Sequence, residues 1–211
     1  METMSVSELA ADLRTLGLPT GSAAVLPDGP RPPADSLDRW ARAATLGEPS
    51  LRQAAIWAIR EVARLNGLAP ASIQALYAAR GRGEWGGRTV PAMNLRGWTY
   101  QTCRAAFRAA RTLQADLLIF EQAPLEMVYA DQRPAEYTAG VLAAALREGY
   151  SGPVFLQGDH VQVNAGTYAK DPAAEIRRLT DLIREHARML GDHRIHHIYE
   201  IGGDISPDDF D

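Results

Sequence analysis

An aspartate and a histidine stand side by side, Asp159 and His160, just after the short apolar run at 153–157. A Gly-Pro pair precedes the run, which is typical of a buried strand. In α/β proteins the carboxyl ends of parallel strands usually carry the chemistry. A carboxylate there can exchange a proton, and an imidazole can bind a metal ion. We therefore predict that Asp159 is catalytic and that His160 is a metal ligand.

Three more polar side chains lie at or just beyond the ends of predicted strands: Asn94, Glu121 and Gln157. In a parallel barrel such positions converge on one mouth, so residues far apart in sequence can line a single pocket. We predict these three as substrate-binding residues. The alternative is that polar residues simply resume where a strand ends, and for each of the three taken singly the sequence leaves both interpretations open.

The elements that must position these residues are short apolar strands alternating with helices. Strands are predicted at 89–94, 115–120 and 153–157, with a helix between each pair. They recur about every thirty residues, the usual size of a βαβ unit. A full eight-stranded barrel needs about 250 residues, and the chain has 211. The predicted fold class is therefore α/β, a partial (β/α) barrel of the TIM type with parallel strands, preceded by an N-terminal α-helical segment.

The sequence pattern divides the chain into three parts. Residues 1–86 are predicted to be helical, beginning with the capping-box spacing of Ser5 and Glu8 and ending with a helix at 70–80. Residues 87–190 carry the first βα units. Residues 191–211 are rich in acidic residues and lack helical periodicity, which predicts an irregular tail.

Composition excludes several classes of function. The formal charge of -4 gives no basic patch for sequence-independent binding of nucleic acid. No apolar run is long enough to span a membrane. The start of the chain lacks a secretory signal and Cys103 is the single cysteine, so we expect a cytoplasmic protein. Lys170 is the single lysine, so Schiff-base chemistry would have to use it or the N-terminus.

Two further clusters have a simpler interpretation. His193, His197 and Glu200 would share one face of a helix and could imitate a metal site. The segment has no apolar stripe, so a solvated tail is the preferred interpretation. Four arginines surround the glycine-rich segment at 81–87 and could hold a phosphate. Exposed arginines are more common than phosphate sites, so a phosphate site is the less favoured interpretation of these four arginines.

Four segments carry a family resemblance: Gly-Arg-Gly-Glu at 81–84, Thr-Val-Pro-Ala-Met-Asn-Leu-Arg-Gly at 89–97, Asp-Gln-Arg-Pro-Ala-Glu-Tyr at 131–137 and Val-Phe-Leu-Gln-Gly-Asp-His-Val-Gln-Val-Asn at 154–164. Together they resemble the class II, zinc-dependent fructose-bisphosphate aldolase family, in a divergent branch with an N-terminal helical extension. The resemblance implies Zn²⁺ as cofactor, a phosphorylated sugar as substrate and reversible aldol cleavage as the reaction, that of an aldehyde-lyase in glycolysis. It implies that Asp159 exchanges a proton with the substrate hydroxyl, that His160 binds zinc, and that Asn94 stands near the substrate.

The resemblance also implies that the remaining zinc ligands and the phosphate-binding loops come from later strands. We therefore expect a truncated chain that forms homo-oligomers or lacks a barrel segment. Two alternatives stay open. One is a non-catalytic aldolase-like subunit or truncated remnant, and the other is a metal-dependent sugar epimerase that forms the same enediolate.

Overall fold

The structure, a computed structural model, describes residues 4–18 and 29–189. The helices of this part are α1 (Val6–Thr15), α2 (Ala34–Leu46), α3 (Pro49–Leu65), α4 (Gln74–Gly81), α5 (Thr99–Leu113), α6 (Pro124–Tyr129), α7 (Pro134–Glu148), α8 (Ala165–Lys170) and α9 (Pro172–Met189). The strands are β1 (Pro70–Ala71), β2 (Ala92–Asn94), β3 (Leu118–Gln122) and β4 (Val154–Gly158). Among these helices, none combines the length and the apolar character that crossing a membrane requires.

The four strands form one parallel sheet in the order β1-β4-β3-β2. The chain therefore has an α/β fold, as predicted. The strands β2, β3 and β4 lie within three residues of the runs predicted at 89–94, 115–120 and 153–157. They are neighbours in chain order and helices connect them, which is the βαβ arrangement that the alternating pattern predicts.

Strand β1 was not predicted, and the helix expected at 70–80 begins only at Gln74. Pro70 pairs with Val154 and Ala71 with Phe155, so β1 forms the edge of the sheet beside β4. Proline donates no hydrogen bond and is tolerated on an edge strand. Two residues are too few to give a strand period, and the pairing partner lies more than eighty residues further along the chain. The segment predicted to be helical thus contributes one strand to the sheet.

One face of the sheet packs against helices in the larger core. Phe120 of β3 meets Phe107 of α5, with ring centroids 5.1 Å apart. Helix α7 lies at the centre of this layer, and its buried small residues at 143–145 let neighbouring helices approach closely. Trp40 of α2 and Ile59 of α3 belong to the same core. The N-terminal helices therefore share their hydrophobic core with the sheet.

The opposite face of the sheet has a smaller cluster. Ile119 of β3 and Phe155 of β4 are buried there with Ile73, which lies just before α4. Because side chains alternate along a strand, the next positions on this face, two residues further along β3 and β4, are Glu121 and Gln157. This face thus changes from apolar to polar toward the carboxyl ends of the strands.

Candidate functional site

The three predicted substrate-binding residues form one row across the sheet. Asn94 is in register with Glu121, and Glu121 is in register with Gln157. Register partners on neighbouring parallel strands project to the same side. The Gln157 side-chain amide donates a hydrogen bond to Glu121 Oε1. The structure thus brings these residues together from three separate strands.

Asp159 continues the sheet by one residue and turns its carboxylate toward Asn94. Its backbone N–H donates to the Gln122 carbonyl oxygen at 3.1 Å. Asn94 Nδ2 donates to Asp159 Oδ2 at 2.9 Å, and the Asp159 side chain is only 15% exposed. A backbone bond and a side-chain bond therefore hold the carboxylate in one place, which is the preorganisation that an acid–base group needs.

His160 has a left-handed backbone, with φ of 52°. Histidine is one of the residues that adopt this conformation more often than most. Consecutive side chains of a strand point to opposite faces, but the left-handed turn ends the strand geometry. As a result the His160 imidazole lies on the same side as Asp159, with Nε2 3.5 Å from Asp159 Oδ1. The imidazole is 76% exposed and open to a ligand.

A cavity of about 890 Å³ lies at the carboxyl ends of the strands. Asn94, Asp159 and His160 line it. Glu121 and Gln157 are not part of its wall. Their side chains bond to each other in the row on the sheet.

The sequence did not identify Glu126, a buried carboxylate in the cavity wall. Its side chain is 8% exposed and accepts hydrogen bonds from Arg96 Nε and, at 3.0 Å, from the backbone N–H of Ala123. Asn94 Nδ2 lies 3.5 Å from Glu126 Oε2, so the Asn94 amide stands between two carboxylates. Proline at the first position of α6 and glutamate at the third were a signal for a helix start. The helix has only six residues and no apolar period to reveal it.

The loop after β4 is tied to α9 by a second buried acid, Glu175. Glu175 accepts hydrogen bonds from Arg178 Nη2 at 2.5 Å, Arg178 Nε at 2.9 Å and the backbone N–H of Asn164 at 2.7 Å. The bonds from Arg178, with a smaller effect of the Asn164 amide, lower the pKa of Glu175 to about 2, against the opposing effect of burial. Arg178 also lies in the cavity wall and reaches the Gln162 carbonyl oxygen at 3.3 Å.

The cavity wall combines guanidinium groups, which can bind an anionic group of a ligand, with a carboxylate that can exchange a proton. Two guanidinium groups, Arg96 and Arg178, line the wall on segments outside the sheet, and each keeps donors beyond those that its carboxylate partner accepts. A carboxylate, Asp159, stands between polar partners at the strand end. Arginine donors of this kind recognise phosphate oxygens well.

The same residues do not complete a zinc site by themselves. In residues 4–18 and 29–189, no group of three or more His, Cys, Asp or Glu side chains is placed to hold one metal ion. Catalytic zinc normally takes three protein ligands, and His160 with Asp159 supplies at most two. The histidines at 193 and 197, with Glu200, lie outside the described residues.

Comparisons with models of protein families, with curated proteins and with solved structures found no match to this chain.

Proposed function

We propose that this chain carries the acid–base part of a class II aldolase-type active site and acts as an aldehyde-lyase on a phosphorylated ketose in the cytoplasm. One observation carries the proposal. The Asp159 carboxylate, held by Asn94, stands in the wall of a cavity that two arginines also line. The resemblance of the segments at 89–97 and 154–164 to that aldolase family gives the reaction type.

In the proposed reaction, Asp159 accepts the proton of the substrate hydroxyl on the carbon β to the ketone. The O–H electron pair becomes the second bond of an aldehyde carbonyl as the bond between the α and β carbons breaks. The electron pair of that broken bond passes to the α carbon and is delocalised onto the ketone oxygen as an enediolate. Water then protonates the enediolate at the α carbon and the second carbonyl product leaves, while the hydroxide that remains takes the proton from Asp159 and restores its carboxylate. General acid–base catalysis of this kind contributes about 10² to 10⁴ in rate.

The sheet supports the proposal as the first part of a (β/α) barrel. The strands β2, β3 and β4 are adjacent, parallel and in chain order, which is how barrel strands follow each other. The predicted site residues follow the carboxyl ends of these strands, where barrel enzymes bind substrate. Strand β1 takes the place beside β4 that the next strand of a barrel would take. Among the described strands, β1 and β2 form the open edges, where strands of a second copy can pair.

Arg96→Ala is expected to raise the KM for a phosphorylated ketose about tenfold while kcat changes less. Arg96 lies in the cavity wall, and the loss of one charge-assisted hydrogen bond to phosphate costs about 1.5 kcal/mol. Steady-state kinetics measures KM and kcat, and circular dichroism checks that the fold survives the loss of the Arg96–Glu126 pair. The matched control is Arg82→Ala, because Arg82 pairs with Glu84 on the surface and is not part of the cavity wall. Equal KM values for the two variants would contradict the role of Arg96.

His160→Ala is expected to weaken the binding of Zn²⁺ to the chain, because the resemblance makes His160 a zinc ligand and its imidazole is exposed at the cavity. Two ligands would not retain zinc through dialysis, so calorimetric titration with Zn²⁺ measures the Kd at equilibrium. His186→Ala serves as control, since the ring of His186 is fully buried. Equal Kd values for wild type and His160→Ala would exclude this ligand.

The proposed function is tested by incubating the purified chain with zinc and fructose 1,6-bisphosphate and identifying the products. Two three-carbon fragments support aldol cleavage. A six-carbon epimer indicates the epimerase alternative instead, because epimerisation leaves the carbon chain intact. Unchanged substrate contradicts catalysis by this chain and favours the non-catalytic subunit.

A further inference from the structure

A second cavity, of about 330 Å³, lies beside the first and shares none of its wall residues. Its wall comes from the end of α2, the start of α3, the loop between β2 and α5, and the loop between α6 and α7 with the first turn of α7. Its volume is at the lower end of the range for small-molecule sites. Neither the proposed aldol reaction nor the packing of the core uses it.

The floor of the second cavity is polar and held in a fixed arrangement. Glu136 is buried, and its Oε1 accepts a hydrogen bond from Gln132 Nε2 at 2.9 Å. Thr99 Oγ1 donates to Gln132 Oε1 at 2.7 Å, which fixes the orientation of the Gln132 amide. Burial raises the pKa of Glu136, although the neighbouring charge of Arg52 opposes the shift. Within the described part of the chain, Arg52 Nε is buried without a hydrogen-bond partner, and Arg52 lines the wall with a guanidinium group that has further N–H donors.

The rim of the second cavity is aromatic and strained. Trp98 lines it with 85% of its surface exposed, and its backbone is left-handed, with φ of 45°. Asp131, also in the wall, has φ of 46°. A left-handed backbone is unfavourable for a bulky side chain. Because the indole is so exposed, it buries little apolar surface that could offset this unfavourable backbone. Folding therefore does not explain a tryptophan at this position, whereas a ligand that covers the ring would.

The chemistry of the wall selects an uncharged ligand with many hydroxyl groups. A bound anion would face the carboxylates of Asp131 and Glu136, and a bound cation would face Arg52. Hydroxyl groups both donate and accept hydrogen bonds, so they match a floor that offers a guanidinium donor and a carboxylate acceptor. The ligand also needs a flat apolar face for the indole of Trp98. A sugar ring combines an apolar face of C–H groups with polar edges.

We propose that the second cavity binds one ring of a neutral carbohydrate, with Trp98 against its face and with Arg52 and Glu136 at its hydroxyl groups. This site is separate from the proposed aldolase site. It neither needs Asp159 nor depends on cleavage of a substrate.

The test is a titration of the isotope-labelled chain with glucose, galactose and mannose, each followed through the indole N–H signal of Trp98. At least one hexose is expected to shift this signal with a Kd of about 1 mM. Trp98→Gly removes the indole and suits the left-handed backbone, so this variant keeps its thermal stability. It is expected to weaken hexose binding at least about tenfold by calorimetry. Arg52→Gln is expected to weaken binding to a similar extent while Trp98 stays in place.

Two controls separate this proposal from the proposed function. Trp57→Ala removes another exposed indole, which lies on α3 outside the second cavity, and is expected to leave the hexose Kd unchanged. Asp159→Asn is expected to leave it unchanged as well, whatever its effect on cleavage. The proposal is overturned if no hexose shifts the Trp98 signal at about 100 mM, or if Asp159→Asn abolishes the shift. It is also overturned if inorganic phosphate or methylammonium binds more tightly than every hexose.

Discussion

Asp159→Asn is expected to lower kcat for the cleavage of fructose 1,6-bisphosphate about a thousandfold, because the amide cannot accept the proton of the substrate hydroxyl. Asparagine has nearly the shape of aspartate, and the backbone bond from residue 159 to the Gln122 carbonyl oxygen remains. The fold and the substrate affinity are therefore expected to change little. An enzyme-coupled assay of the triose product measures kcat, and circular dichroism checks the fold.

The matched control is Asp181→Asn, which makes the same chemical change on α9 at a side chain that is 78% exposed. We expect its kcat to equal that of the wild type. If Asp159→Asn cleaves the bisphosphate as fast as Asp181→Asn, another group takes the proton and the assignment of Asp159 is wrong.

Glu175→Gln is expected to destabilise the protein by about 2 kcal/mol at neutral pH. The carboxylate of Glu175 is fully buried and accepts two bonds from Arg178 and one from the Asn164 backbone. Glutamine loses the charge, and its NH₂ group cannot accept these bonds. Arg178 is about half exposed, so water partly replaces the hydrogen bonds that Arg178 loses. The expected cost is therefore lower than the cost of breaking a fully buried pair. Urea unfolding of both proteins measures the difference in free energy.

Helix α9 contains its own control for this experiment. Asp181 and Arg184 form a pair with the same i, i+3 spacing as Glu175 and Arg178, but both of their side chains are mostly exposed. Asp181→Asn is expected to cost less than about 0.5 kcal/mol. Equal costs for the two variants would show that Glu175 does not anchor the loop after β4.

The effect of Glu175 is expected to depend on pH in a defined direction. Its pKa is lowered from 4.5 to about 2 in the folded chain. A lowered carboxylate pKa stabilises the folded state above the unfolded pKa, and this contribution disappears as the pH falls toward the folded pKa. The difference in unfolding free energy between wild type and Glu175→Gln is therefore expected to shrink from about pH 5 to about pH 2. A difference that grows on acidification would contradict the ion pair.

Much of the secondary structure followed from local pattern. The capping box at the start of α1 is present as its spacing predicts, with Ser5 N–H donating to Glu8 Oε2 at 2.7 Å and Glu8 N–H to Ser5 Oγ at 3.3 Å. The strands β2, β3 and β4 were recognisable because each is an apolar run that ends in polar residues. Because a helix lies between each of these strands and the next, the strands were expected to pair in parallel. This pairing aligned Asn94, Glu121 and Gln157 in one row without any similarity between their sequence surroundings.

Side-chain direction and long-range partners could not be predicted in the same way. The left-handed backbone of His160 depends on the turn after β4, and it decides that two consecutive residues face one cavity. Strand β1 exists because β4 offers it a partner. Part of the compensation for the buried charges of Glu126 and Glu175 comes from other segments, from Arg96 and from the Asn164 N–H respectively. Such compensation depends on distance in space, which a single sequence does not contain.

The sequence alone thus determined that this protein builds parallel βα units and places an acid and an imidazole where such strands end. Apolar periodicity and helix caps act over a few residues, so local sequence encodes them directly. The tertiary structure decided which residues surround the acid, how the two cavities are divided and which charges are buried. Those features arise only when strands and helices far apart in sequence pack together, because the free energy of a buried charge depends on the groups that enclose it.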